Sequence, residues 1–286
     1  MNPEPDPGSF LSGEIGSVVG PRLRVIRTAA DLGQEAARAL SLTGPRLGRL
    51  ARQQAPRSVL VLSVYRAGSR LVESIDALRS KTHEVHFAFG SIGPADPALA
   101  AETQATEMEG GKFQNLNALM AAGPDAAAQD WLLVVDDDVR LPHRFLDRYI
   151  ALLERLGLDL AQPAQTMRSH AAWRVTRRRA WSLGRETNYV EIGPVTAFSG
   201  RVAGELTPFP ELRYGWGLDN HWGAIARERG WSLGVVDALA VRHTDRHVAS
   251  DYSHAEAVAE ARSFLSERSF VTTDEAQRTL VTHRRL

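Results

Sequence analysis

The chain has 286 residues, 43% of them hydrophobic, so it is long enough to bury a large core. Lys plus Arg and Asp plus Glu both number 34, and this balance gives no overall electrostatic field that would attract nucleic acid. Cysteine is absent, which excludes disulfides, thiolate metal sites and a cysteine nucleophile.

Residues 1–57 are predicted to form an extension of the main domain, partly disordered and then helical. The first letters, MNPEPDPGSF, are acidic and rich in proline, which favours disorder or loose attachment over residues 1–20. They lack the basic and apolar regions of a signal peptide, and no apolar window of about eighteen residues follows. We therefore expect a cytoplasmic protein without a transmembrane segment. Segments rich in alanine and leucine between Asp31 and Gln54 predict two short helices, broken by the letters TGP.

Strands and helices alternate from residue 58 onward. SVLVLSVY, HEVHFAFGS, WLLVV and LDLAQPA predict strands, and segments with apolar residues at helical spacing follow the first three. NYVEIGPVTAFSGRV predicts two further strands, GWGLDNHWGAIARERG a helix, and WSLGVVDALAVRH a strand. This order predicts an α/β domain over residues 58–250, with a mostly parallel central sheet flanked by helices. Residues 251–286 are predicted to be C-terminal helices.

The stretch RSHAAWRVTRRRAW has no clean strand pattern and combines arginine with tryptophan. One interpretation is an amphipathic helix whose arginines extend over the core. The other is a mobile segment that borders a cleft, where its tryptophans and arginines, such as Trp173 and Arg177, would stack on or pair with a ligand.

The stretch DWLLVVDDDVR joins a buried strand to three aspartates. Because residues two apart on a strand point the same way, Asp136 and Asp138 present two carboxylates on one side, and Asp137 turns to the other. A divalent cation such as Mg²⁺ or Mn²⁺ prefers oxygen ligands and would relieve their repulsion. The alternative is a solvated acidic turn before a helix near Pro142. Ligands of parallel sheets bind where strands end, and this favours a site. Other polar residues also follow predicted strands, namely Tyr65, Arg66, Ser91 and His243.

Five segments in this order resemble inverting glycosyltransferases of the GT-A fold, family-2-like, from Ser58 to about His247. SVLVLSVYRAGSRLVESIDALRS is similar to the family's first strand, nucleotide-binding loop and helix, and GGKFQNLNALM to its Gly-Lys helix. WLLVVDDDVRLP resembles the strand that carries the Asp-x-Asp motif. VTAFSGRVAGELTPFPE and RYGWGLDNHWGAIARERGW resemble the acceptor-side segment and the segment with the catalytic acid.

The resemblance implies a Mn²⁺- or Mg²⁺-dependent transfer of a sugar from a nucleotide-sugar donor to an acceptor hydroxyl, with inversion. Asp138 would be a metal ligand, and Asp136 would share the metal or contact the ribose. His243 would be the third ligand, with a solvated loop histidine as its alternative and His247 as its competitor. Asp219 matches the base that takes the acceptor's proton, and its alternative is an N-cap of the following helix. The other positions implied to contact the donor are Val64, Tyr65, Arg66, Lys112, Asn117 and Asp137. The alternative for Lys112 is a solvent-facing lysine, and the alternative for Asn117 is a structural hydrogen bond. The acceptor side would include Trp173, Arg177 and Trp216.

The sequence departs from the family at two places. Phe89 and Gly90 stand where the family has an acid that reads the nucleotide base, so uridine specificity does not follow. The Gln/Arg-x-x-Arg-Trp motif and membrane helices of processive members are absent, which predicts a non-processive enzyme. Two other functions stay open at this point. One is a haloacid-dehalogenase-like phosphatase, whose first Asp-x-Asp aspartate is a nucleophile, and the other is a nucleotide-sugar- or carbohydrate-binding protein without turnover.

Overall fold

The structure, a computed structural model, describes residues 5–12, 21–169, 171–243 and 253–286. These residues form one central sheet with helices on both faces. Its strands are β1 (Ser58–Tyr65), β2 (Glu84–Ser91), β3 (Thr103–Ala105), β4 (Trp131–Val135), β5 (Val139–Arg140), β6 (Leu160–Gln165), β7 (Gly184–Thr187), β8 (Val195–Ser199), β9 (Leu233–His243) and β10 (Thr279–His283). The helices are α1 (Pro7–Phe10), α2 (Pro21–Leu40), α3 (Thr43–Gln53), α4 (Leu71–Leu78), α5 (Lys112–Ala122), α6 (Phe145–Leu156), α7 (Gly200–Leu206), α8 (Leu218–Arg229), α9 (His254–Ser266) and α10 (Thr273–Ala276).

Within the described part of the chain, the sheet runs in the order β10-β7-β9-β6-β8-β4-β1-β2-β3, and β5 pairs with β9. β4, β1, β2 and β3 are parallel to one another, as are β6 and β9. β8 runs antiparallel between β6 and β4, and β7 and β10 are antiparallel to their neighbours. The predicted α/β class is confirmed, with parallel strands in a large helix-flanked sheet. The sheet as a whole is mixed.

Strand β4 shows why its sequence is continuously apolar. All five of its residues are buried. Trp131, Leu133 and Val135 belong to the core cluster on one face of the sheet, together with residues of α4 and α6. Leu132 and Val134 belong to the cluster on the other face, together with residues of α5, α7 and α8. Because both faces are covered by helices, neither set of alternate residues needs to be polar.

The N-terminal extension is more firmly attached than its composition suggested. Residues 1–4 and 13–20 lie outside the described residues, but Phe10 is buried in the core cluster that also contains Phe113. The Thr273 hydroxyl donates to the carbonyl oxygen of Leu11 at 2.9 Å. The prediction of loose attachment is therefore wrong for residues 5–12, because one large apolar side chain among polar neighbours is enough to dock the segment.

Helices α2 and α3 confirm that the extension continues as two helices, although the first is longer than predicted. It begins at Pro21 rather than near Asp31, and the letters TGP open the second helix instead of separating the two. Proline is tolerated in the first turn of a helix, where its missing N–H has no intrahelical partner. No helix in the described ranges is both long enough and apolar enough to cross a bilayer.

The C-terminal segment ends in a strand, so the prediction of helices alone for residues 251–286 is wrong. α9 and α10 are present, but Thr279–His283 pairs antiparallel with β7 as the edge strand β10. A five-residue stretch with two threonines and one valine fits a pleated edge, and it pairs backbone groups of β7 that would otherwise lie open. The predicted domain boundary at residue 250 falls in the gap between the described ranges 171–243 and 253–286.

Candidate functional site

Three side chains with metal-binding atoms meet where β4 ends. β4 leads into Asp136 and Asp138, and the antiparallel pairing of β5 with β9 sets Val139 opposite His243. The ligand atoms of Asp136, Asp138 and His243 all lie within 4.8 Å of one another. His243 Nε2 is 2.9 Å from Asp138 Oδ1. The structure thus brings together the three residues that the sequence predicted as metal ligands, while His247 lies outside the described residues.

These residues fit a divalent cation. Two carboxylates and an imidazole offer oxygen and nitrogen atoms at a spacing close to that around a cation with bonds of about 2.1 Å. Burial alone would lower the pKa of His243, but the hydrogen bond and the charge of Asp138, with Asp136 and Glu191, raise it overall. A cation that binds here replaces that proton as the positive charge between the two carboxylates.

Asp137 has other partners than Asp136 and Asp138, and it does not belong to the cluster with His243. Its Oδ2 accepts a hydrogen bond from the Arg66 backbone N–H at 3.0 Å, and its carbonyl oxygen accepts one from Leu71 N–H at 3.0 Å. Asp137 also contributes to the lining of the cleft described below. These two hydrogen bonds attach the segment after β1 to the turn after β4.

The end of β1 and the loop after it place two of three predicted donor contacts at the cleft. Val64 and Arg66 line it. Tyr65 is fully buried and does not line the cleft, and its hydroxyl lies 2.6 Å from Thr103 Oγ1. Because adjacent residues of a strand point to opposite faces, the Tyr65 side chain packs in the core rather than against a donor. The expected donor contact of its side chain is therefore corrected.

Helix α5 contributes a lysine at its first position. Lys112 Nζ donates to Asp136 Oδ1 at 2.5 Å and to the carbonyl oxygen of Ile192 at 2.6 Å. Its alternative as a solvent-facing lysine is therefore wrong. A cation at a helix N-terminus is unfavourable for the helix dipole, and the carboxylate partner offsets that cost.

Asn117, further along α5, does not reach the cleft. Its side-chain amide donates to the carbonyl oxygen of Phe209 at 2.8 Å and accepts from the Phe209 backbone N–H at 2.8 Å. This pair of bonds attaches the segment before α8 to α5, so the expected donor contact is corrected to a structural one. Asn115 lies on the cleft side of the same helix and was missed.

Asp219 lies in the first turn of α8 and faces the cleft. The N-cap is Gly217, with φ of 82°, so the alternative of an N-capping aspartate is wrong. The Tyr189 hydroxyl donates to Asp219 Oδ2, and the Asn220 backbone N–H donates to Oδ1 at 3.0 Å. Burial raises the pKa of Asp219 to about 6, although these hydrogen bonds act to lower it. A carboxyl group with this pKa can accept a proton near neutral pH.

Glu191 is a second buried acid of the cleft, and the sequence analysis missed it. Burial and the nearby charge of Asp219 raise the pKa of Glu191 to about 7. The Gln165 side-chain amide donates to Glu191 Oε2, while Gln165 Oε1 has no hydrogen-bond partner among the described residues. The letters YVEIGP were predicted as part of a strand. In the structure β7 ends at Thr187, and residues 188–194 pass the cleft as a loop. The sequence feature that could have identified Glu191 is that this acid stands within the short apolar run YVEI.

These groups share one cleft, whose volume is about 500 Å³. Trp173 and Trp216 line it, whereas Arg177 does not. The Arg177 guanidinium donates to the carbonyl oxygens of Thr166 and Ser169 at 3.1 and 2.8 Å, so it stabilises a loop and its expected acceptor contact is corrected.

Residues 174–176 form one short 3₁₀ turn, which excludes the amphipathic helix for these residues. Three N-terminal residues that were not predicted also line the cleft, namely Phe10, Leu11 and Ser12.

The comparison with known proteins finds similarity in solved structures. No family model matches the chain, and no curated protein matches it. A structure of GalNAc-T7 with UDP, GalNAc and Mn²⁺ has 12% identity and a TM-score of 0.48, over 66% of this chain and 43% of that one. A structure of S. aureus TarS in complex with UDP-GlcNAc has 15% identity and a TM-score of 0.49, over 72% of this chain and 64% of that one.

Both proteins are GT-A glycosyltransferases, the fold that the sequence resemblance indicated. This chain spans less than two thirds of the length of either structure. Because both TM-scores are below 0.5, the similarity carries no argument about the fold or the activity of this chain.

Proposed function

We propose that this chain is a metal-dependent glycosyltransferase that moves a sugar from a nucleotide-sugar donor to an acceptor hydroxyl, with inversion and without processive synthesis. One observation carries the proposal: the Asp136, Asp138 and His243 cluster and the buried acid Asp219 face the same cleft. A cation site beside a protonatable carboxyl group supplies the two things that inverting transfer needs, which are a stabilised leaving group and a base.

The donor would bind along the ends of β1 and β4. Val64 and Arg66 line the cleft and would contact the nucleotide, and Lys112 brings an ammonium group to Asp136. When bound at the Asp136, Asp138 and His243 cluster, Mn²⁺ or Mg²⁺ would stabilise the negative charge that develops on the departing diphosphate. The Lys112 ammonium group lies at the same edge and adds a second positive charge.

Asp219 would act as the base. Its Oδ atoms are oriented by the Tyr189 hydroxyl and the Asn220 N–H, so the carboxylate is held in one position before the acceptor arrives. As the acceptor oxygen forms its bond to the anomeric carbon and the bond to the diphosphate breaks, Asp219 takes the hydroxyl proton. Trp173 and Trp216 line the cleft and supply aromatic surface for the acceptor.

The test is a screen of nucleotide-sugar donors against acceptors, read by mass spectrometry, with Mn²⁺ and with a chelator. We expect a glycosylated product that depends on the cation, and proton NMR of that product should show the inverted anomeric configuration. Hydrolysis of p-nitrophenyl phosphate without sugar transfer would instead support the phosphatase. Donor binding by calorimetry without any turnover across the panel would support the binding protein.

A further inference from the structure

Helix α2 presents an apolar stripe to solvent. Val25, Ala29, Leu32, Ala36 and Leu40 follow one another at spacings of three or four residues, so they lie on one side of the helix. Val25 is 69% exposed, Leu32 67% and Leu40 78%. Surface helices ordinarily turn such a stripe toward the core, and this helix turns it outward.

The polar side of α2 is the side that contacts the rest of the protein. The Asp31 carboxylate accepts hydrogen bonds from the backbone N–H groups of Met167 and Arg168, at 2.7 and 3.1 Å. The Gln34 amide donates to the Arg178 carbonyl oxygen at 3.3 Å, and Glu35 pairs with the Arg178 guanidinium. These contacts determine the orientation of the helix, so the exposed stripe is a defined surface of the folded chain.

The segment that carries the stripe is strongly basic. Residues 21–57 contain eight arginines and two acids, Asp31 and Glu35. Both acids are used in the inward contacts just described. Arg22 precedes Val25 by three residues and so lies on the side of the stripe, while Arg46 and Arg49 are exposed on α3. None of these three arginines forms an ion pair with an acid within the described ranges.

We propose that α2 docks this chain on the surface of an anionic phospholipid bilayer. An outward apolar stripe on a basic helix fits the boundary between head groups and acyl chains, where arginines reach lipid phosphates. A second copy of the chain fits less well, because two arginine-rich faces would repel each other. This inference stands apart from the proposed sugar transfer, since no residue of α2 lines the cleft.

The experiment measures binding of the full chain to sedimented vesicles. We expect binding to vesicles of phosphatidylcholine with phosphatidylserine, weaker binding to phosphatidylcholine alone, and release as the salt concentration rises. The triple variant Val25→Ser, Leu32→Ser, Leu40→Ser should bind anionic vesicles about tenfold more weakly or worse, because the apolar contact is lost. The matched control is Leu280→Ser, which changes a 59% exposed leucine on β10 and should bind like the parent.

Three results would overturn the proposal. The first is equal binding of the parent and the triple variant, and the second is equal binding to anionic and neutral vesicles. The third is a dimer that light scattering detects in the parent and not in the triple variant, together with no vesicle binding, which would assign the stripe to a second copy. Circular dichroism of each variant checks that the fold is kept.

Discussion

Asp219 and Glu191 are both buried carboxylic acids of the cleft, but they have different partners. Asp219 is held by the Tyr189 hydroxyl and a backbone N–H, whereas Glu191 is bonded by the Gln165 amide. Glu211, an acid of the acceptor-side segment, fits the role of base less well, because it is exposed and bonded to Asn117. Glu191 is therefore the second residue to test for proton transfer.

Replacement of Asp219 by Asn should abolish sugar transfer while leaving nucleotide and metal affinity nearly intact. The amide keeps the shape of the side chain and its hydrogen bond from Tyr189, but it cannot take a proton. We expect kcat to fall roughly a hundredfold or more, measured with the donor and acceptor found in the screen. Glu211→Gln is the control and should be as active as the parent. Normal turnover in Asp219→Asn would exclude Asp219 as the base, and a parallel loss of donor binding would assign it to binding.

Replacement of Glu191 by Gln should change how stability depends on pH. The pKa of Glu191 is about 7 in the folded chain against an ordinary 4.5, so the folded state holds its proton more tightly than the unfolded state. Relative to Glu191→Gln, the parent should lose roughly 3 kcal/mol as pH rises from about 4.5 to above 7. Urea unfolding of both proteins at about pH 5 and pH 8, with a chelator present, measures this.

The control for that measurement is Glu228→Gln, which removes an exposed acid of α8 and should show the same difference from the parent at both pH values. A difference between parent and Glu191→Gln that did not change with pH would show that the Glu191 carboxyl group titrates normally.

The loop of residues 188–194, between β7 and β8, carries Glu191 and also Gly193, which lies beside Asp136. A Cβ atom on Gly193 would come 2.3 Å from Asp136 Oδ2 and 3.3 Å from Lys112 Nζ. No side chain fits there unless Asp136 moves. The loop can approach the end of β4 this closely because this position has no side chain, and that approach lets Lys112 bond both Asp136 and the Ile192 carbonyl.

Replacement of Gly193 by Ala should weaken binding of Mn²⁺ and UDP about tenfold or more, because a displaced ligand lowers metal affinity. Calorimetry measures both affinities. The matched control is Gly204→Ala in α7, where the nearest atom to the added Cβ is at 3.4 Å, an ordinary contact. Equal affinities in Gly193→Ala and the parent would mean that Asp136 is not a ligand, or that the loop yields without cost.

The last strand, β10, forms one edge of the sheet. β10 pairs with β7, which also pairs with β9, the strand that ends at His243. Leu286 packs against the core cluster on one face of the sheet. The described cleft-lining residues all precede residue 244, so the edge contributes stability rather than site atoms.

Deletion of residues 279–286 should lower Tm by roughly 5 °C, if about 2 kcal/mol of pairing and packing is lost from a chain of this size. Differential scanning calorimetry measures the shift, and Leu280→Ser, which keeps the strand, should shift Tm much less. Mn²⁺ and UDP affinity should stay close to the parent's at a temperature where both proteins are folded. An unchanged Tm would show that β10 adds nothing to the stability of the sheet.

Local sequence patterns were enough to predict the α/β class and the position of the aspartates. Both depend on the spacing of apolar residues along a few neighbouring positions, and that spacing sets which residues of a strand or helix share a face. The buried strand β4 and the aspartates that follow it could therefore be predicted. The strand ends at Val135, so the proximity of Asp136 to Asp138 depends on the turn after it. Ambiguity remained where a residue's role depended on a partner far along the chain.

Those roles depend on contacts between segments that are far apart in the sequence. His243 meets Asp138 because β5 pairs with a strand about a hundred positions later, and no local pattern encodes that pairing. The side chains of Tyr65 and Asn117 bond other segments of the chain. A loop places Glu191 in the cleft. The polar side of α2 faces inward, where Asp31 accepts hydrogen bonds from N–H groups far along the chain. Contacts of this kind depend on how separate elements pack, and packing is decided by the whole chain at once.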